Sequence, residues 1–309
     1  MITTDNSLRA GKRITLAWWN TSLAPSGKSR GSEDLRKNAV EVIVYLLTTS
    51  KVDFMALGEI SSEDYEYLQS IKLLNNLEFR SGVSNIGKSQ FDICYIYNPQ
   101  KIIILNTENI TSEKGTSTLK IAQRIDILEK DTGTVFNIFA SHWPSRLWCH
   151  KNHADRDVLG IRLRDEVDKI LNVSLTPPHI ILLGDYNDEP FDQSLSAQVM
   201  ATRDIDLVHR REHLFYNPYW SQMGQGKVGQ SFKGGSYYYK SGTTTRWHTF
   251  DQIIYSHAFV SAKEWRLADD NTHLSDVPGL AELVVSTKSK FDHIPVYGII
   301  EKVVNNGQL

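Results

Sequence analysis

The sequence is poor in cysteine and has no long apolar stretch. Only two cysteines, Cys94 and Cys149, occur among 309 residues, too few for the disulfide framework of a secreted protein. No run of about 18 apolar residues offers a membrane-spanning helix. The polar segment 1–13 lacks the apolar core of a secretory signal. These absences predict a cytoplasmic protein without a membrane segment.

The chain also lacks an excess of charge of either sign. Its 34 lysines and arginines are balanced by 36 aspartates and glutamates, for a formal net charge of −2. No global basic field therefore points to nucleic acid, although a local basic groove is compatible with this balance. Because no linker or shift in composition divides the sequence, we predict one domain over residues 1–309, with polar tails at about 1–12 and 302–309.

Apolar runs alternate with helical patterns in both halves of the chain. Strands are predicted at 14–19, 53–57, 77–83, 91–97, 102–105, 119–128, 135–141, 180–183, 250–256 and 294–300, and helices at 33–47, 62–74 and 153–171. Ser32, followed by two acidic residues, is typical of a helix start. The pattern predicts an α/β fold, a four-layer α/β/β/α sandwich of two packed mixed β-sheets flanked by helices.

The most informative stretch is the apolar run 180–183, which is followed by Gly184, Asp185, Tyr186 and Asn187. Residues two apart on an extended chain point the same way, so Asp185 and Asn187 are predicted to project together from a strand end. A carboxylate beside an amide can hold an attacking water and a phosphate oxygen. An ordinary turn is the alternative, because Gly, Asp and Asn favour turns.

Polar residues also occur at the ends of other apolar strands. They are Asn20, Glu59, His142, Asp251 and the adjacent pair Asp292 and His293. Taken singly, each has an ordinary explanation as a surface acid, a half-buried histidine or a turn residue. Together they are predicted to converge, because the ends of neighbouring strands meet at one edge of a layered α/β fold.

Two short motifs stand out, Leu-Gly-Asp-Tyr-Asn at 183–187 and Phe-Asp-His-Ile-Pro at 291–295. Shorter ones at 56–59, 141–143 and 250–254 complete an ordered series along nearly the whole chain. The two longer motifs resemble G-D-x-N and S-D-H-x-P of the endonuclease/exonuclease/phosphatase superfamily, which has the deoxyribonuclease-I-like fold. The series as a whole follows the order of that superfamily.

The resemblance implies a hydrolase that depends on Mg²⁺, with Mn²⁺ as a substitute. Such a hard cation takes oxygen ligands and keeps several waters. Glu59 would be the chief ligand, with Asn20 and Asp292 close to the metal. Relatives often carry an acid two positions after the first Asn, where this chain has Ser22. One metal is therefore better supported than two.

The resemblance also assigns the catalytic roles. Asp185 would position or deprotonate the attacking water, and His293, oriented by Asp251, would face the phosphate. His142 would contact a phosphoryl oxygen or assist the leaving group. Asn187 would donate hydrogen bonds to the transition state. The sequence leaves open whether Asp185 or His293 is the base.

The segment 215–247 is rich in glycine, tyrosine and tryptophan and is too long for an ordinary connection. Within it, Trp220, Lys233, Tyr238 and Trp247 are predicted to bind substrate, because basic residues among aromatics can follow a phosphate backbone and stack on bases. A hairpin in which the tyrosine run is simply a strand is the alternative. Arg146 is a further predicted phosphate contact, with an ordinary surface arginine as the alternative.

Three functions compete on these grounds. We favour a metal-dependent nuclease, in particular an endonuclease, that hydrolyses DNA or RNA by attack of water on the phosphodiester. The alternative is a phosphoesterase of the same fold that acts on small or lipid phosphates, such as inositol phosphates or sphingomyelin-like head groups. An inactive binding protein is least favoured, because every matched catalytic position holds a competent residue. The expected partners are nucleic acid and a regulatory protein that restrains a toxic nuclease, with no membrane.

Overall fold

A computed structural model of the chain describes residues 12–24, 32–87, 89–115, 117–223, 234–268 and 273–304. Two seven-stranded mixed sheets pack face to face over these ranges, with helices on their outer faces. The predicted four-layer α/β sandwich is confirmed. Lys233 and most of both predicted polar tails lie outside the described residues.

Strands outnumber helices within the described ranges. The strands are β1 (Arg13–Asn20), β2 (Phe54–Gly58), β3 (Glu78–Ser81), β4 (Ser84–Ile86), β5 (Ser89–Phe91), β6 (Cys94–Tyr97), β7 (Ile102–Lys114), β8 (Ser117–Glu129), β9 (Val135–His142), β10 (His179–Asp185), β11 (Ala201–Thr202), β12 (Phe215–Tyr216), β13 (Tyr237–Tyr238), β14 (Trp247–His248), β15 (Asp251–Ser256), β16 (Trp265–Leu267), β17 (His273–Leu274) and β18 (Val296–Lys302). The α-helices are α1 (Glu33–Thr48), α2 (Ser62–Gln69), α3 (Ala154–Leu171), α4 (Ile205–Arg210), α5 (His257–Ser261) and α6 (Leu280–Val285).

Each large sheet is mixed and has a parallel pair of strands near its centre. The first sheet has the order β16, β18, β1, β2, β6, β3, with β17 also beside β18, and the second has the order β11, β12, β15, β10, β9, β8, β7. Strand β11 also pairs parallel with β12 at the edge of the second sheet. The central parallel pairs are β1 with β2 and β9 with β10. The carboxyl ends of these four central strands carry Asn20, Gly58, His142 and Asp185, which is where the predicted site residues lie.

The core consists of three apolar layers. Aromatic and branched side chains from the inner faces of both sheets fill the middle layer, and the outer layers lie under α1 and α3. Helix α1 begins as predicted, because the Ser32 hydroxyl caps it by accepting a hydrogen bond from the Leu35 amide at 3.3 Å. Its buried stripe then follows helical spacing, as in Leu35, Ala39, Val42, Ile43 and Leu46.

Several predicted elements differ in extent from those in the structure. The strand predicted at 102–105 continues to Lys114 as β7. The helix predicted at 62–74 ends at Gln69, and a short 3₁₀ turn (Lys72–Leu74) follows it. The strand predicted at 91–97 is interrupted, because Asp92 and Ile93 separate β5 from β6. The apolar run suggested a continuous strand, but Asp92 is buried and accepts charged hydrogen bonds from residues of the second sheet.

Candidate active site

Strand register places three of the predicted catalytic residues side by side. Asp185, the last residue of β10, pairs with His142 on the parallel neighbour β9 and with Asp251 on the antiparallel neighbour β15. From the first sheet, Asn20 at the end of β1 donates a hydrogen bond from Nδ2 to Asp185 Oδ2 at 3.2 Å. The edges of the two sheets therefore converge on Asp185, as the strand-end pattern predicted.

His293 is held by a buried carboxylate. Its Nδ1 lies 2.7 Å from Asp251 Oδ2, and the Trp18 indole donates to Asp251 Oδ1, also at 2.7 Å. Both oxygens of Asp251 are thus engaged, and the imidazole presents Nε2 to the site. Burial alone would lower the pKa of His293, but Asp251 and Asp185 outweigh it and raise that pKa to about 10. His293 is therefore a cation at neutral pH.

His142 has a carboxylate partner that the sequence did not reveal. Its Nδ1 lies 2.9 Å from Oδ2 of Asp92, in the break between β5 and β6, and Lys120 Nζ donates to Asp92 Oδ1 at 2.7 Å. Burial raises the pKa of Asp92, but His142 and Lys120 together lower it below its usual range. Burial also acts against the charged imidazole, but Asp92 outweighs it, so the pKa of His142 is raised.

Asp185 lies between the two imidazoles. Its Oδ2 is 3.7 Å from His293 Nε2 and 4.0 Å from His142 Nε2, and its Oδ1 accepts the Asn187 amide at 2.9 Å. Burial and the neighbouring Asp251 raise the pKa of Asp185, and the two histidines partly offset this rise. A carboxylate with a raised pKa between two imidazoles whose pKa values are also raised suits proton transfer from a bound water.

The predicted metal ligands lie next to Asp185. Asn20 Nδ2 donates to Glu59 Oε1 at 3.2 Å as well as to Asp185, while Asn20 Oδ1 accepts the Ser22 amide. Asn20 therefore links two carboxylates through its NH₂ group and turns its oxygen away from them. Ser22 Oγ donates to Asp292 Oδ1 at 2.8 Å.

The donor set at this edge fits a hard divalent cation. Five carboxylates, from Glu59, Asp92, Asp185, Asp251 and Asp292, gather around two histidines and Lys120. Burial is the main cause that raises the pKa of Glu59, and Asp292 adds to it. A cation bound to carboxylate oxygens would relieve this crowding of negative charge.

One group of three side chains with closely spaced ligating atoms occurs within the described residues. Atoms of Asp185, Asp251 and His293 lie within 4.8 Å of one another. Both oxygens of Asp251 are hydrogen-bonded, one to Trp18 and one to His293. We therefore interpret Asp185, Asp251 and His293 as a hydrogen-bonded catalytic group. Glu59 and Asp292, with Asn20 hydrogen-bonded to Glu59, stay the predicted metal ligands.

Unusual backbone geometry accompanies these side chains. Ser22, Glu59 and Asn187 all have left-handed backbones, with φ of 54°, 57° and 51°, and such strain is typical of functional sites. Gly184 has φ of 153°, and a Cβ there would lie 1.9 Å from the Ser141 carbonyl oxygen of β9. A glycine is thus required before Asp185.

The prediction that Asn187 projects together with Asp185 from a strand end was wrong. The strand ends at Asp185 and the backbone turns, so the two side chains do not project together from an extended chain. The Asn187 side chain donates from Nδ2 to the Trp143 carbonyl at 3.1 Å, next to His142. Direct contact of Asn187 with a transition state stays a prediction.

Arg146 is tied to the loop that follows Asp185. Its Nε donates to the Asn187 carbonyl at 2.8 Å, and its Nη2 pairs with Asp188 and Asp192. Its guanidinium also lies 4.5 Å from the centre of the Phe250 ring. These contacts position the Asn187 loop, so a phosphate contact by Arg146 stays a prediction.

The aromatic residues predicted to bind substrate occupy two places. Tyr238 and Trp247 face each other across the β13–β14 hairpin with ring centroids 4.9 Å apart, as the alternative interpretation of the tyrosine run predicted. This hairpin borders the site, because the Tyr238 amide donates to the Asp292 carbonyl at 2.7 Å. Trp220 lies elsewhere, beside Phe191 and Arg203.

Sequence reasoning missed several residues of the site. Asp92 and Lys120 lie within apolar or mixed strand patterns, and only the buried acid between Phe91 and Ile93 could have drawn attention. Trp18, the partner of Asp251, carried no signal beyond its strand. Tyr237, whose ring centroid is 4.7 Å from that of His293, was passed over in favour of its neighbour Tyr238.

Comparison with known proteins agrees with this geometry. The sequence profile described as "Endonuclease/Exonuclease/phosphatase family" matches residues 38–282, whereas a search of curated proteins finds no match. No helix in the described ranges is long and apolar enough to cross a membrane.

Solved structures of the same fold cover nearly the whole chain. The catalytic domain of human Nocturnin with bound sulfate is similar at 17% identity and a TM-score of 0.61, over 94% of this chain and 95% of that one. A mannosyl-6-phosphatase of Bacteroides thetaiotaomicron is similar at 18% identity and 0.58, over 94% and 100%. D. rerio TDP2 complexed with a single-strand DNA product is similar at 14% identity and 0.59, over 94% and 99%. With the family profile matching residues 38–282, the chain belongs to the endonuclease/exonuclease/phosphatase family, whose members are phosphoesterases.

Proposed function

We propose that this protein is a Mg²⁺-dependent phosphodiesterase and, more specifically, a nuclease that acts on DNA or RNA. The observation that carries the proposal is the position of Asp185 between the Nε2 atoms of His293 and His142, each imidazole backed by its own buried carboxylate. Two imidazoles around one carboxylate provide both hydrogen-bond donors for a phosphate and a base for a water.

The proposed reaction uses these three side chains for distinct tasks. Water attacks phosphorus as the bond to the leaving oxygen breaks, and the proton of the water passes to Asp185. The pKa of about 10 keeps His293 protonated, so we favour Asp185 as the base and His293 as a cation that stabilises the developing charge. His142, also with a raised pKa, would protonate the leaving oxygen.

A divalent cation would be held by Glu59 and Asp292, with Asn20 supporting Glu59. When bound, such an ion offers charge neutralisation at the phosphate. Mn²⁺ would serve as a substitute, because it accepts similar oxygen ligands. Ser22 holds Asp292 through a neutral hydroxyl, which favours one metal over two.

Two features favour a polymeric nucleic acid over a small phosphate. Aromatic side chains line the β13–β14 hairpin beside Asp292, and bases stack well on such rings. The similar D. rerio TDP2 has been solved with a single-strand DNA product. The alternative remains an enzyme for small or lipid phosphates, and the similar mannosyl-6-phosphatase of Bacteroides thetaiotaomicron supports it. A cytoplasmic location and a restraining protein partner belong to the nuclease proposal.

A panel of substrates would separate these alternatives. The purified protein would be assayed with supercoiled plasmid, single-stranded DNA, RNA, a sugar phosphate and a lipid head-group phosphodiester, in Mg²⁺, Mn²⁺ or EDTA. The nuclease proposal expects metal-dependent cleavage of at least one polymer. Turnover confined to the sugar phosphate or head group would overturn it in favour of the alternative.

A further inference from the structure

A row of alternating basic and aromatic side chains lies on the surface next to the Asn187 loop. Lys151 Nζ is 4.7 Å from the centre of the Phe191 ring, whose centroid is 6.2 Å from that of Trp220. The Arg203 guanidinium lies 4.9 Å from the centre of the Trp220 ring. We call Lys151, Phe191, Trp220 and Arg203 the aromatic–basic strip.

The strip is connected to the active site by charged contacts. Arg146 bonds the Asn187 carbonyl through Nε and Asp192 Oδ2 through Nη2. Lys151 pairs with the other oxygen of Asp192 at 3.0 Å. The loop that begins at Asp185 and passes through Asn187 therefore carries Phe191 at a fixed position a few residues beyond the catalytic carboxylate.

The strip is open to solvent over much of its length. Phe191 is 43% exposed, Lys151 and Arg203 are also exposed, and Trp220 is half-buried. Trp148, between Arg146 and Lys151 in sequence, is 85% exposed. Exposed aromatic rings next to cations are the groups that bind unpaired bases and the phosphates between them.

We propose, on the basis of the nuclease function above, that the aromatic–basic strip binds a single strand of nucleic acid as it leaves the active site. Phe191 and Trp220 would stack on successive bases, while Lys151 and Arg203 would contact the backbone. A duplex cannot use the same rings, because its bases are already paired and stacked. We therefore expect the strip to select a single strand or the unpaired end of a duplex as substrate.

Binding would be measured in the absence of cleavage. Fluorescence anisotropy would follow a labelled single-stranded oligonucleotide and a blunt duplex of the same sequence, both with the Asp185→Ala protein. We expect tighter binding of the single strand. Adding Phe191→Ala should weaken its binding about ten-fold, since a stacked base contributes about 1–3 kcal/mol. Arg203→Gln should lower the slope of log K against log salt by about one.

Two matched variants control for general surface effects. Leu175→Ala removes a fully exposed apolar side chain from the loop before β10, and Arg162→Gln removes an exposed arginine from α3. Neither should change binding of the oligonucleotide. Equal affinity of Phe191→Ala and Leu175→Ala for the single strand, or equal binding of strand and duplex by the parent, would overturn the proposal.

Hydrolysis of a small aryl phosphodiester separates failure of the strip from failure of the proposed function. If Asp185→Ala abolishes metal-dependent hydrolysis but the strip variants bind the oligonucleotide unchanged, the proposal for the strip is overturned and the proposed function stands. Absence of hydrolysis by the wild-type protein on every substrate and with every metal would overturn the proposed nuclease itself.

Discussion

Strand β10 carries a buried ionisable side chain at each end. The pKa of the histidine at its carboxyl end is raised, whereas the pKa of the histidine at its amino end is lowered. At its carboxyl end, Asp185 meets His293, whose pKa is raised to about 10 because Asp251 and Asp185 outweigh burial. At its amino end, His179 packs between the rings of Phe136 and Phe259, and its Nε2 has no hydrogen-bond partner among the described residues. Burial lowers the pKa of His179 to about 4.

The two ends of β10 show that burial alone does not make a histidine functional. Both imidazoles are removed from water, but only the one with a carboxylate on its second nitrogen is held as a cation. The same rule applies to His142, which Asp92 holds. A buried carboxylate partner therefore distinguishes both candidate catalytic histidines from His179.

Removing the carboxylate behind His293 should have the largest effect. In Asp251→Asn, His293 would lose its anionic partner and its fixed tautomer, so we expect phosphodiester hydrolysis to fall by about 10⁴-fold. The pKa of His293 should fall as well, towards the behaviour of His179. Steady-state kinetics and NMR titration of the imidazole would measure both. A catalytic rate within a few-fold of wild type would contradict the role of Asp251.

The corresponding change behind His142 should have a smaller effect. We expect Asp92→Asn to lower hydrolysis by about 10²-fold, the lower range for one general acid, since His293 and Asp185 remain in place. The loss should be greatest for a substrate with a poor leaving group and least for an activated aryl ester. An equal loss on both esters would indicate that Asp92 supports structure only.

His179 should govern stability without affecting catalysis. The unfolded chain takes up a proton at this histidine near pH 6.5, whereas the folded chain does so only near its pKa of about 4. Stability is therefore lost as pH falls through this window, by up to about 3 kcal/mol from this group. Urea unfolding of His179→Leu at pH 7 and pH 4.5 should show a smaller acid loss than wild type. Equal losses in both proteins would contradict this assignment.

Only a carboxylate at the active-site end of β10 should affect the Mg²⁺ requirement. We expect Glu59→Gln to raise the Mg²⁺ concentration for half-maximal activity by roughly ten-fold. Glu264, which interacts with His179 at the opposite end, provides the matched control as Glu264→Gln. A Mg²⁺ requirement that changes equally in both variants would remove Glu59 from the metal site.

Sequence and structure agree best where a residue's position follows from strand register. Asp185 and His142 could be predicted to meet because each ends an apolar strand, and the helix start at Ser32 followed from local capping. Asn187 could not be placed, because its left-handed backbone cancels the alternation of an extended chain. Asp92 could not be found, since its partners His142 and Lys120 lie 50 and 28 residues away.

Asp185, between the imidazoles of His293 and His142, is the proposed base of a metal-dependent phosphodiester hydrolysis. The most direct measurement of this role is the initial rate on a small aryl phosphodiester for wild type, Asp185→Ala and Leu175→Ala, each with Mg²⁺ and with EDTA. We expect wild type and Leu175→Ala to be active with Mg²⁺ only, and Asp185→Ala to be inactive although folded by circular dichroism. Full activity of Asp185→Ala, or activity of wild type that persists in EDTA, would contradict this role.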